Sequence, residues 1–358
     1  MTDIWSPIQV GRMQLPHRTA MAPMTRSRAQ PDGTPSELAA EYYAQRASIG
    51  LIITEGTQPS EDGQGYLSTP GIHTPAHVEG WRKISTAVHR AGGRVFIQLL
   101  HVGRMSHPDN TPHHRQALAP SAVVPSAEMF TERGLLPIPR PRALTREEIA
   151  AIISEFVEGA RLAVEAGTDG VEIHGANGYL VQQFFAPNAN LRDDEYGGSI
   201  ENRARFAIEL TRAVADAIGP DRTALRLSPG SNLGDVDEGP EGPELYRRLL
   251  AELDKLGLAY LHLVHNGDEA LMADLRRAWN NVLVVNRAGG GRDRIGRDVA
   301  AGLADMESFG QMVLANPDFV DRIRTGAPLN EPRKELFYSG GAAGYVDYPT
   351  LQRQEAAA

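Results

Sequence analysis

The feature that most constrains this chain is a rhythm. Short runs rich in Val, Ile and Leu alternate with longer amphipathic stretches, eight times over. That alternation argues βα units and a parallel sheet. The strand-like runs are 18–22, 50–56, 94–100, 170–175, 223–228, 259–265, 281–287 and 304–310. The helical patterns between them cover 36–48, 75–91, 145–166, 199–218, 242–256, 268–278, 294–301 and 317–324. Thr145-x-x-Glu148 reads as a capping box at the start of the third. Gly167, Gly219-Pro220 and Gly257 close the third, fourth and fifth. Eight strands and eight helices in alternation predict an α/β chain folded as a (β/α)8 TIM barrel. A doubly wound sheet would place Gly-x-Gly-x-x-Gly after its first strand. Here that position holds Pro23-Met24-Thr25-Arg26, which disfavours it. Barrels routinely exceed the usual domain length, so 1–358 reads as one barrel domain.

The rhythm breaks once. Between 103 and 144 there is no helical pattern, and proline and polar residues dominate. A loop of that length is uncommon unless it has a function. It follows the third strand, so it belongs at the C-terminal mouth, where barrel active sites lie. It is expected to form a lid or small subdomain there.

Composition narrows the chemistry. The chain has no Cys, which excludes disulfides, thiolate metal sites, iron–sulfur clusters and a Cys nucleophile. Its formal net charge is −9, from 36 basic and 45 acidic residues, so nucleic acid and anionic membrane are not expected partners. No apolar run approaches bilayer length, and Met1-Thr2-Asp3-Ile4-Trp5 lacks a signal-peptide pattern, so a cytoplasmic location is expected.

Residues at the C-terminal strand ends should build the site. These are Pro23, Met24 and Thr25 after strand one, Gly56 in strand two, and Gln98 and Leu100 in strand three. Strand four supplies His174, Asn177 and Tyr179, and strand five Arg226. Gly289, Gly290 and Gly291 follow strand seven, and Gly310 and Gln311 end strand eight. Alternation puts Glu172 and His174 on one face of strand four and Arg226 and Ser228 on one face of strand five, both pointing inward, away from their apolar neighbours. A buried Arg beside a buried Glu needs pairing, so a Glu172–Arg226 ion pair is expected. Gln98, Arg226, the Thr25 hydroxyl and the Gly56 backbone match the polar edge of a flat heterocycle. The glycines suit a phosphate, because no Cβ blocks the backbone N–H groups. Flavin mononucleotide satisfies both ends. Each residue alone has a plainer reading: Gln98 as a core amide, His174 as a structural histidine, Tyr179 as packing, the glycines as turns. No further His or carboxylate completes a metal site with His174-x-x-Asn177, so no metal is expected.

These residues resemble the Old Yellow Enzyme family of FMN-dependent ene-reductases, in its thiol-free branch. The resemblance runs from about 5 to 351. It is carried by Met21-Ala22-Pro23-Met24-Thr25-Arg26, Gly65-Tyr66, 95–99, the block 171–180, Gln183-Phe184, Asn188, 196–203, 315–318 and Gly344-Tyr345-x-Asp347-Tyr348-Pro349. It implies that Pro23, Met24, Thr25, Gly56, Gln98 and Arg226 hold the flavin ring, with Gly289, Gly290, Gly310 and Gln311 at the phosphate. It implies that His174 and Asn177 bind the substrate oxygen, and that Tyr179 protonates Cα while flavin N5 gives hydride to Cβ. Tyr66, Leu100 and Tyr345 would wall the pocket. NAD(P)H would be the reductant, and enones, maleimides or nitroalkenes the substrates of a monomer or small homo-oligomer. One position departs from the family: Gln311 stands where an Arg usually grips the phosphate, with Arg287 or Arg292 as candidate substitutes. Two other readings compete with it: a metal-dependent hydrolase on the same barrel, and a flavin-binding protein that senses rather than catalyses.

Overall fold

A computed structural model describes residues 2–352; Met1 and 353–358, part of the span read as one domain, lie outside the described residues. Eight parallel strands close a barrel: β1 (Thr19–Met21), β2 (Leu51–Thr57), β3 (Val95–Leu99), β4 (Gly170–Gly175), β5 (Thr223–Leu227), β6 (Tyr260–Val264), β7 (Leu283–Asn286) and β8 (Met306–Phe309). Each lies within an expected run or within one residue of it. The order is sequential, with β8 pairing β1 to close the ring.

The helices are α1 (Glu37–Ala44), α2 (Pro75–Arg90), α3 (Arg146–Glu165), α4 (Leu180–Phe185), α5 (Ile200–Ile218), α6 (Gly242–Leu253), α7 (Glu269–Ala278), α8 (Arg297–Ala300), α9 (Gln311–Ala315) and α10 (Phe319–Thr325). The capping box forms: Glu148 N–H donates to Thr145 Oγ1 at 3.2 Å, and Thr145 N–H to the Glu148 carboxylate at 2.8 Å. The expected helix at 294–301 shrinks to α8, because Gly296 takes a left-handed conformation at φ 84° and breaks it. Sequence reading missed α4 and α9. Six and five residues are too few to show a helical period. No helix among the described residues is long and apolar enough to cross a membrane.

The barrel interior is layered. At its floor, Ala20, Leu51, Ile53, Phe96, Ala224, Tyr260, Val284 and Met306 form an apolar plug. An antiparallel hairpin of Ile8–Val10 and Met13–Leu15, absent from the sequence reading, seals that plug with Ile8, Val10, Met13 and Leu15. Above the plug the inward positions turn polar: Gln98, Glu172, Arg226, His262, Asn286 and Ser308, all buried.

The 103–144 excursion is ordered. It contains an antiparallel hairpin, Glu128–Thr131 with Gly134–Pro137, and a short parallel pair, Leu118–Ala119 with Arg142–Ala143. Met129 and Ile138 pack with Leu100, Val102, Met105, Tyr66 and Tyr179, which places this segment against the barrel mouth.

Candidate active site

The end of β4 carries the reactive-looking side chains. His174 is 4 % exposed, and its Nδ1 accepts the Ala176 N–H at 3.2 Å. That bond assigns the proton to Nε2, leaving a neutral N–H donor on the other side of the ring. Burial, then the nearby Arg226 charge, hold its pKa well below the usual histidine value. Asn177 adopts a left-handed φ of 57°, with its N–H donating to Ser228 Oγ at 2.8 Å. Its side-chain amide makes no hydrogen bond among the described residues. Gly178 follows at φ 80°, where a Cβ would lie 2.0 Å from the Leu233 carbonyl oxygen, so only glycine fits. Two successive left-handed residues turn the chain sharply and bring Tyr179 back over His174, edge-on at 4.9 Å between ring centres. The Tyr179 hydroxyl lies 2.9 Å from that of Tyr66. Burial raises the Tyr179 pKa well above 10, so it is a neutral acid.

Leu100 is 5 % exposed and lies across Gly56, where a Cβ would meet its Cδ2 at 2.5 Å. Tyr66 and Leu100 therefore sit beside Tyr179, as expected. Tyr345 does not. It is fully buried and stacked on Tyr42 at 4.1 Å, beneath the Arg26 and Arg28 guanidiniums. Those arginines donate to carbonyls at Phe337, Gly341 and Gly344, which fixes the 337–345 segment with Tyr345 turned under Tyr42 rather than into the pocket.

A cavity of about 400 Å³ opens along the ends of β1, β5, β7 and β8. Its walls include Pro23, Met24, Arg226, Gly289, Gly290, Gly310 and Gln311, joining strand ends far apart in sequence. Thr25 is half-buried next to this wall, with no hydrogen bond on its hydroxyl among the described residues. A cavity of about 590 Å³ lies elsewhere, lined by Asp235, Asp237 and Asp268 and by none of the expected site residues.

The expected Glu172–Arg226 ion pair does not form. Glu172 accepts from Gln98 Nε2 at 2.8 Å on one oxygen and meets His262 Nδ1 at 2.9 Å on the other. Arg226 makes no hydrogen bond or ion pair among the described residues, and its Nε is buried and unsatisfied. Gln98 is tied through its amide nitrogen, which leaves its carbonyl oxygen for a ligand. Neither candidate substitute for a phosphate-binding Arg is free. Arg287 lines the cavity but is clamped between Asp298 at 2.6 Å and Glu269 at 2.6 Å. Arg292 donates to the carbonyls of Ala327 and Arg322.

His262 and Ser308 escaped the sequence reading. The signal was present: His262 alternates with Leu261 and Leu263, the same pattern that exposed Arg226. Glu55, which the sequence places at the end of strand two without a role, is buried and accepts the Arg26 N–H at 2.9 Å, holding the turn that carries Thr25.

The donors and acceptors fit a flavin: an uncommitted buried cation, a free amide oxygen and hydroxyl at one end, and Cβ-free backbone at the other. Comparison with known proteins decides the matter. A profile for the NADH:flavin oxidoreductase / NADH oxidase family matches residues 3–330. The chain belongs to this family. These Old Yellow Enzymes are FMN-dependent oxidoreductases on a (β/α)8 barrel. A probable flavin mononucleotide-dependent alkene reductase of Leishmania infantum is 42% identical over 356 residues, covering 96% of each chain. 12-oxophytodienoate reductase 2 of Arabidopsis thaliana is 41% identical, covering 97% of this chain and 95% of that one. Among solved structures, morphinone reductase superposes with a TM-score of 0.93 at 41% identity, over 98% of this chain and 97% of that one. Another morphinone reductase structure, of an N189A mutant, is described as a complex with tetrahydroNAD. Old Yellow Enzymes thus supply both the fold and the flavin chemistry that the site geometry suits.

Proposed function

We propose that this protein is an NAD(P)H-dependent ene-reductase acting on activated alkenes such as enones, maleimides and nitroalkenes. The observation that carries the reading is the trio at the β4 end: a neutral His174 with Nε2–H free, an unbonded Asn177 amide, and a neutral Tyr179 phenol beside them.

Pro23, Met24, Thr25, the Gly56 backbone, Gln98 Oε1 and Arg226 would hold the ring of FMN. Gly289, Gly290, Gly310 and Gln311 would hold its phosphate. When bound there, FMN would supply the two-electron redox chemistry between NAD(P)H and the alkene β-carbon. His174 and Asn177 donate two hydrogen bonds to the carbonyl or nitro oxygen. Negative charge grows on that oxygen as Cβ is attacked, so fixed donors stabilise the transition state more than the ground state; each is worth about 3 kcal/mol. Tyr179 then gives its proton to Cα, completing addition of H⁻ and H⁺ across the double bond. A phenol held neutral by burial keeps that proton available across the physiological range. Leu100, Tyr66, Met129 and Ile138 form an apolar wall, and the 103–144 segment acts as a lid that excludes water.

The test is an anaerobic absorption experiment. The purified protein should carry an oxidised flavin spectrum, bleach with NADPH or NADH, and recover with cyclohexenone. Recovery fails if the acceptor is not an activated alkene. A colourless protein that does not take up FMN removes the flavin reading altogether.

A further inference from the structure

The polar layer inside the barrel holds a continuous chain of side chains that, beyond Gln98, the reaction scheme leaves unused. Gln98 on β3 donates to Glu172 on β4, Glu172 meets His262 on β6, and His262 Nε2 lies 2.8 Å from Ser308 Oγ on β8. Glu172 and His262 are wholly inaccessible to solvent. Asn286 on β7 braces the same layer by donating to the Ser308 carbonyl at 2.9 Å. His262 Nδ1 faces the carboxylate at 2.9 Å and Nε2 the Ser308 hydroxyl at 2.8 Å, and an imidazole pKa below the usual value leaves the ring neutral at pH 7. Burial is the main cause of that lowering. Charge in this layer therefore resides on Glu172 and Arg226 alone.

Those two charges sit on neighbouring strands: Glu172 is opposite Ala224, two positions before Arg226, in the β4–β5 register. A buried cation without counter-charge is expensive. A direct ion pair would compensate it but would consume the guanidinium donors. Here Glu172 is oriented by its bonds to Gln98 and His262 and does not touch Arg226, so the carboxylate acts on the guanidinium through space while Arg226 lines the cavity.

We propose that Glu172 is a positioning residue for Arg226 and its fixed counter-charge, oriented by Gln98 and His262 and out of contact with it, and that it thereby sets the reduction potential of the bound flavin. An uncompensated Arg226 would favour the negatively charged reduced flavin strongly. Glu172 offsets part of that field and keeps the reduced cofactor a strong hydride donor. The inference rests on the flavin reading above.

The experiment measures the dissociation constants of oxidised and reduced FMN, and the equilibrium potential of the bound flavin, in wild type, Glu172→Gln and Glu172→Asp. Gln removes the charge but keeps the shape and an acceptor for His262. It should favour reduced over oxidised FMN by about tenfold more than wild type does, an upward shift of about 30 mV for a two-electron couple. Asp keeps the charge and should stay within about threefold of wild type. A purely structural role predicts the reverse ranking, because Asp is too short to reach Gln98 and His262 together. An FMN-loaded Gln variant with the wild-type ratio overturns the inference and leaves the flavin reading standing; failure of wild type to bind FMN overturns both. If Glu172→Gln does not fold, the pair Glu172→Gln with His262→Gln, which restores an amide chain from Gln98 to Ser308, should show the same shift. Infrared difference spectra of wild type on FMN reduction decide the case without a variant. No new buried carboxylic acid should appear; one that does shows that the counter-charge is not fixed.

Discussion

Tyr179 shows how much chemistry a backbone turn can position. Asn177 and Gly178 are both left-handed, and the turn they make lays the phenol across His174 and against Tyr66. Tyr179→Phe keeps that packing and removes the proton. It should slow alkene reduction at least a hundredfold, the scale of general acid catalysis, while flavin reduction by NAD(P)H stays within about twofold. Stopped-flow measurement of the two half-reactions checks this; equal loss in both removes Tyr179 as proton donor. Gln311 makes the opposite case, a residue whose two candidate substitutes are already engaged. With Arg287 clamped by Glu269 and Asp298, and Arg292 spent on carbonyls, no substitute cation named from the sequence is available. Gln311→Arg should therefore tighten FMN binding about tenfold, the worth of one charge-assisted hydrogen bond. Titration of the apoprotein with FMN reads this directly. Unchanged affinity means that another group already serves the phosphate.

At the scale of elements, β2 and the turn after β1 are joined through one buried carboxylate. Glu55 accepts the Arg26 N–H, and Arg26 in turn holds the 337–345 segment. Burial raises the Glu55 pKa from 4.5 to about 7, against the opposing hydrogen bond and charge of Arg26. The sign follows from linkage. The folded state keeps a proton that the unfolded state has released, so stability falls as pH rises from about 4.5 to about 7 and then levels off. The penalty at high pH is on the order of 3 kcal/mol. Glu55→Gln should abolish this slope, giving a smaller loss of Tm between pH 5 and pH 8 than wild type shows. Parallel Tm–pH curves would mean that Glu55 is ionised in both states. The boundaries of α8 and the missed α4 and α9 belong to this scale as well. Periodicity needs two turns or more to show, and a single left-handed Gly296 moves a helix start by several residues.

For the whole molecule, the barrel divides its labour by depth. The floor is an apolar plug sealed by the N-terminal hairpin, the middle is a polar layer, and the mouth carries the reacting groups. Leu15 is fully buried in the plug, at the end opposite the cavity. Leu15→Ala should cost about 2–5 kcal/mol of stability through the cavity it leaves, with FMN affinity unchanged within twofold. Denaturant unfolding and flavin titration together test this. A large loss of FMN binding in a folded variant would show that floor and mouth are coupled.

The barrel itself was legible in the amino-acid sequence, because each strand must be apolar toward the helices and each helix amphipathic, and that pattern is local. The site residues at the strand ends followed from the barrel rule and from alternation: His174, Asn177, Tyr179, Arg226, Pro23, Met24, Gly310 and Gln311 all lie where that logic puts them. Partner choice was not legible. Alternation says that Glu172 and Arg226 both point inward, but not that Gln98 and His262, from strands on either side of them, bind the carboxylate while Arg226 stays out of contact. Likewise Tyr345 carries a pocket-like motif, yet Arg26 and Arg28 bind the surrounding carbonyls and pull it under Tyr42. Where several buried polar groups compete for the same few partners, geometry across distant strands decides the outcome, and that geometry exists only once the ring is closed.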